Sequence, residues 1–106
     1  MSAFNFNSQI CTTREQTKRL LAFGLKKETA DMYWANPFGE WIAIAGEGNI
    51  DENNISAWSL HRLMCLLFDS GVTCVELHED DDAYETLIYN IEWRIMKGYF
   101  NKEYLV

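Results

Sequence analysis

Apolar and polar positions alternate with a helical period most clearly in residues 55–68, ISAWSLHRLMCLLF. Leu60, Leu63, Met64, Leu67 and Phe68 fall at i, i+3, i+4, i+7 and i+8, the stripe of a helix that faces a core. Leu66 adds apolar surface on another side, and only Ser59, His61 and Arg62 are plainly polar. Such a helix needs cover on more than one side, so the other elements should pack around it. Its start is expected between Ser56 and Ser59, and Asp69-Ser70-Gly71 closes it. A second long pattern runs from about Ala83 to Lys97, with Tyr84, Leu87, Ile88, Ile91 and Ile95 as its stripe. Asp82 and Glu85 give it a capping pattern, and Gly98 ends it behind Lys97.

The remaining patterns are shorter. Thr12-Thr13-Arg14-Glu15 has the form of a capping box, so a helix should run from there to about Phe23 and stop at Gly24. Residues 26–34 predict a second short helix, with Leu25, Ala30, Met32 and Tyr33 turned inward. Asn36-Pro37-Phe38-Gly39 is a turn signal. Residues 41–45, WIAIA, predict a strand, and 46–54 a polar loop. Residues 72–78 predict another strand by their β-branched content. Residues 99–106 form a tail whose aromatics could fold back, and residues 1–11 a loose arm.

The order α-α-β-α-β-α predicts an α+β domain: about four helices packed with a small two- to three-stranded sheet. A helix between the two strands permits parallel pairing. An extra strand from residues 36–41 or from the arm would permit a hairpin.

At 106 residues the chain should be a single domain, 1–106, able to bury one core without staples. Its 48% hydrophobic content and 14% aromatics exclude a disordered chain. The net charge of −7 is unevenly spread. Residues 1–27 hold five basic residues (Arg14, Lys18, Arg19, Lys26, Lys27) against Glu15, and the remainder is strongly acidic. An acidic body repels phosphates, so general nucleic-acid binding is disfavoured. Three cysteines, an odd count, and an opening without a basic, apolar leader pattern predict reduced thiols in the cytoplasm. The longest apolar runs are five residues, far below the roughly twenty of a membrane span, so no membrane is expected.

Three blocks carry a resemblance. Gln16, Leu20, Leu21, Gly24 and Thr29–Met32 form the first; Ile55, Ala57, Trp58, Ser59 and Leu60 the second; Trp93, Gly98 and Tyr99 the third. Together they resemble a group of small uncharacterised proteins encoded in Bacteroides-type bacteria and their phage-like or mobile elements. Ser56 departs from the proline frequent in that group, which leaves the helix start less firmly set here. The resemblance implies a cytoplasmic bacterial or phage context and no activity, because its motifs serve packing and capping.

Candidate chemistry is sparse. His61-x₃-Cys65 and Cys74-x₃-His78 offer four zinc-ligand types. The first pair shares a helix face. The second, on a strand, would sit with Cα atoms about 13 Å apart, too far for one ion with ligands at about 2.0–2.3 Å. No metal site and no cofactor are therefore expected. A Cys–His nucleophile would need a cleft and an oxyanion hole, which no motif announces, so enzyme activity is not the favoured reading. The acidic run 79–82 suits a helix N-terminus.

The favoured function is a non-enzymatic interaction or accessory protein, acidic and cytoplasmic, recognising a protein partner or itself. Trp41 and Trp58, with His61 and Arg62 as polar rim, are the candidate contact residues, since exposed aromatics anchor partners. The alternative is a small nucleic-acid-associated regulator. It would read residues 13–34 as a helix-turn-helix, with Arg14, Lys18, Arg19, Lys26 and Lys27 on phosphate.

Overall fold

The computed structural model describes residues 9–46, 53–78 and 82–106. Most of the expected arm, most of the loop 46–54 and three of the four residues of the acidic run 79–82 lie outside the described residues. The described elements are α1 (Arg14–Ala22), a 3-10 turn (Lys27–Thr29), β1 (Met32–Ala35), β2 (Ile42–Ala45), β3 (Ile55–Ala57), α2 (Leu60–Asp69), α3 (Ala83–Lys97) and a final 3-10 turn (Lys102–Tyr104). The class is α+β, with three α-helices and a three-stranded antiparallel sheet among the described residues.

Local chemistry explains each helix end. The α1 capping box forms one residue later than expected, on Thr13 and Gln16. Gln16 N donates to Thr13 Oγ1, and Thr13 N donates to Gln16 Oε1. Thr12 is unavailable because it works in the core. Its backbone N–H donates to Trp58 O at 2.8 Å, and its hydroxyl accepts from Trp58 N at 3.1 Å. All three helices stop on the same motif, in which a glycine adopts positive φ and the next amide bonds five residues back. Leu25 N bonds Leu20 O, Val72 N bonds Leu67 O, and Tyr99 N bonds Arg94 O.

Helix α2 begins at Leu60 with Ser59 as its cap, because residues 55–57 pair as β3 instead. Its buried residues are Leu63, Leu66 and Leu67, while Phe68 is exposed. The inward stripe is thus rotated toward Leu66 relative to the expected one. Helix α3 matches its expected bounds, and Tyr84, Leu87, Ile88 and Ile91 are its buried residues. Asp82 caps it, accepting from Tyr84 N and Glu85 N. The core joins Leu20, Leu25, Trp58, Leu63, Leu66, Leu67, Leu87, Ile88, Ile91 and Phe100.

The second short helix expected over residues 26–34 is not formed. One 3-10 turn covers Lys27–Thr29, and the chain then extends as β1, the middle strand of the order β2-β1-β3. Pairing on both sides of Met32, Tyr33 and Trp34 outweighs the helical spacing of Ala30 and Tyr33. The strand expected over residues 72–78 is also absent; that segment is irregular. Val72 and Val75 pack on the core while Cys74, Leu77 and His78 are exposed. The tail does fold back. Lys26 N bonds Tyr104 O, Val106 N bonds Gly24 O, and Phe100 is buried.

Candidate interaction surface

Strands β1 and β2 form a hairpin with Tyr33 opposite Ile44 and Ala35 opposite Ile42. Gly46 N donates to Asp31 O at 2.9 Å, which makes residues 31 and 46 a hydrogen-bonded pair. Such pairs alternate along an antiparallel ladder. Ile44 and Ile42 therefore bond β1, and the N–H and C=O groups of Ala43 and Ala45 point to the outer edge of the sheet. The same alternation places the backbone groups of Ser56 and Trp58 on the opposite edge, outside β3.

The two edges are treated differently. On the β3 side, Thr17 Oγ1 donates to Ser56 O at 2.8 Å, and Thr12 exchanges bonds with Trp58. Residues 12–17 thereby close that edge. On the β2 side, no hydrogen bond among the described residues engages the Ala43 or Ala45 backbone outside the β1 ladder. Residues 41–46 carry no charge and no proline, the usual guards of an exposed edge. Ile42 is 44% exposed, and Phe38 at the hairpin tip is 94% exposed. Among the described residues, two exposed apolar side chains and outward backbone groups without a partner thus belong to one hairpin.

The expected contact residues do not assemble into one rim. Trp58 is wholly buried, with its Nε1 donating to Thr29 Oγ1 at 2.9 Å. It is a core residue, because β3 and the start of α2 enclose it. Trp41 is half-buried, and the Arg14 guanidinium lies 4.8 Å from its ring centre. Arg62 is spent on structure, its Nε donating to Thr29 O at 2.7 Å. His61 is exposed on α2, with its Nε2 at 3.5 Å from Cys65 Sγ.

The basic residues also separate. Arg19 turns to α3, its guanidinium bonding Glu85 and Glu92 at 2.7 Å each. Hydrogen bonds to these two carboxylates push its pKa up, and Arg19, then Gln16, hold the Glu85 carboxyl below its ordinary range. Arg14 and Lys18 remain outward on α1, beside a shallow depression that Thr13, Glu15 and Ile55 also line. Lys26 and Lys27 sit on the 3-10 turn side. Without a second helix, residues 13–34 do not build a helix-turn-helix.

The cysteines serve different environments. Cys11 is buried, and burial first, then the Asp31 charge, pushes its thiol up to about 11. Cys74 is exposed. The irregular course of 72–78 removes the strand objection to a four-ligand zinc site. Even so, no group of three or more His, Cys, Asp or Glu side chains is placed to hold a metal ion among the described residues. No helix among them is long and apolar enough to cross a membrane.

The edge residues Phe38, Ile42, Ala43 and Ala45 were not candidates from sequence. An aromatic in a turn signal beside an uncharged strand was the available sign, but an edge exists only relative to its partners. Compared with protein-family models, curated proteins and solved structures, the chain matches none.

Proposed function

We propose that this chain is a non-enzymatic interaction protein that accepts an extended segment of a protein partner on the outer edge of β2. The carrying observation is the asymmetry of the sheet. One edge is closed by Thr12 and Thr17, and the other presents the Ala43 and Ala45 backbone beside exposed Ile42 and Phe38. Strand addition derives affinity from main-chain bonds and selectivity from alternate side chains. Each new backbone bond contributes roughly 0.5–1.5 kcal/mol net, so the apolar contacts at Ile42 and Phe38 must supply much of the remainder. The acidic, bacterial and cytoplasmic setting implied by composition and resemblance belongs to the same proposal.

The test substitutes proline at Ala43, whose N–H faces outward. Proline is tolerated on edge strands, so Ala43→Pro should leave the thermal unfolding close to that of the parent chain. Affinity capture from host lysate, with and without nuclease, is compared for the two proteins alongside mass against concentration. The expected result is a protein partner, or a second copy, retained by the parent chain and lost from Ala43→Pro. Equal retention by both would overturn the edge as the contact. Retention that disappears with nuclease would replace the protein partner by nucleic acid.

A further inference from the structure

Helix α2 buries Leu63, Leu66 and Leu67. The opposite face carries His61, Cys65 and Phe68, spaced four and three residues apart on consecutive turns. His61 and Phe68 are exposed and Cys65 is half-buried, so an ion from solvent can reach both the thiol and the imidazole. Cys65 Sγ lies 3.5 Å from His61 Nε2. Among the described residues, no other hydrogen-bond partner engages either group. Tetrahedral zinc binds sulfur at about 2.3 Å and imidazole nitrogen at about 2.0–2.1 Å, which sets two such ligand atoms about 3.5 Å apart. The spacing found in the structure, now a sulfur–nitrogen hydrogen bond, matches the edge of a zinc tetrahedron, so a zinc ion could replace the shared proton without moving the helix.

We propose that His61 and Cys65 form a bidentate half-site for a thiophilic divalent cation of the zinc class. The thiol gives up its proton to bind, and the neutral imidazole binds through Nε2. Two coordination positions remain for water or for ligands from outside the chain. Both protein ligands stand on one rigid helix, so little side-chain freedom is lost on binding. Cys74 and His78, the other half of the four-residue pattern, belong to the irregular segment 72–78 and are not part of this site. Among the described residues, no second side chain hydrogen-bonds the Cys–His pair, and its chemistry is that of a ligand pair.

The test is calorimetric titration of the reduced, full-length protein with Zn²⁺. Cys65→Ser and His61→Ala are compared with Cys74→Ser and His78→Ala. All four positions are exposed or half-buried, and thermal unfolding checks that each variant folds. One Zn²⁺ per chain is expected, weakened about tenfold or more in the first two variants and unchanged in the last two. Zn²⁺ should also slow alkylation of Cys65 and leave that of Cys74 unaffected. Binding that survives Cys65→Ser or His61→Ala, or that is lost with Cys74→Ser, would overturn the assignment, as would no binding at all. The site is independent of the β2 edge: Ala43→Pro should bind Zn²⁺ as the parent chain does, whatever its effect on partners.

Discussion

Trp58 shows how one side chain can be assigned to the wrong surface. Its position just ahead of a helix, near other aromatics, fits a core residue as well as an exposed anchor. It lies in the core with its indole N–H satisfied by the Thr29 hydroxyl. A buried indole needs such a partner, and Thr29 is held for the task by donating to Lys26 O at 2.7 Å. Trp58→Ala should destabilise the fold by about 3–5 kcal/mol, and Leu63→Ala by about 2–5 kcal/mol, read from denaturant unfolding. A loss below 1 kcal/mol for either would contradict their burial. The cysteines make a second residue-scale expectation. Reaction with a soluble alkylating agent at neutral pH should be fast at Cys74 and very slow at Cys11, whose thiolate is scarce and whose sulfur is enclosed. Mass mapping after brief labelling reads the order directly.

Among the elements, the three α-helices and the strand expected over residues 41–45 follow their local signals, and residues 26–34 and 72–78 do not. Capping and stop motifs act through the nearest few residues, so α1 and α3 sit within a residue or two of where those motifs place them. Thr13→Ala should cost about 1 kcal/mol through the lost cap. At the other end of the fold, Gly98 has φ +77°, and a Cβ there would touch nothing within 4 Å. Gly98→Ala should therefore cost only the backbone strain of a left-handed residue, about 1–2 kcal/mol; a much larger loss of thermal stability would point to packing that the geometry does not contain. Residues 26–34 and 72–78 went the other way. In the first, alternation and helical spacing coexist, and pairing with β2 and β3 decided for a strand. In the second, β-branched residues pair with no strand, and Val72 and Val75 pack on the core from an irregular segment.

For the molecule as a whole, the Arg19–Glu85–Glu92 cluster ties α1 to α3 across 66 and 73 positions of sequence. Arg19 is 41% exposed and Glu85 45%, so solvent screens part of this link. Its sign with pH is nonetheless defined. Glu85 titrates below its ordinary value in the folded protein, so the stabilisation is complete at neutral pH and is lost as pH falls through that lowered value. Arg19→Gln should lower stability at neutral pH, and the gap from the parent chain should narrow in acid. Urea unfolding of both proteins across the carboxylate range reads this. A gap that stays constant would mean that Arg19 acts through packing and not charge. At the same scale lies the β2 edge, which has no backbone partner among the described residues and which no residue reveals alone.

The sequence by itself determined the α+β class, the two long helices with their caps and stops, and the returning tail's apolar character. These depend on periodicity and on short-range backbone chemistry, which are properties of neighbouring residues. Tertiary structure alone decided that residues 32–35 become the central strand, that Trp58 is core, and that Arg62 is spent on Thr29. It also decided that, among the described residues, the outer edge of β2 is left without a backbone partner and that Cys74 and His78 stay away from the His61–Cys65 pair. Each of those outcomes is a choice between competing partners distant in sequence. Such a choice is made by whichever pairing leaves fewer buried polar groups unsatisfied, and only the folded chain brings the competitors together.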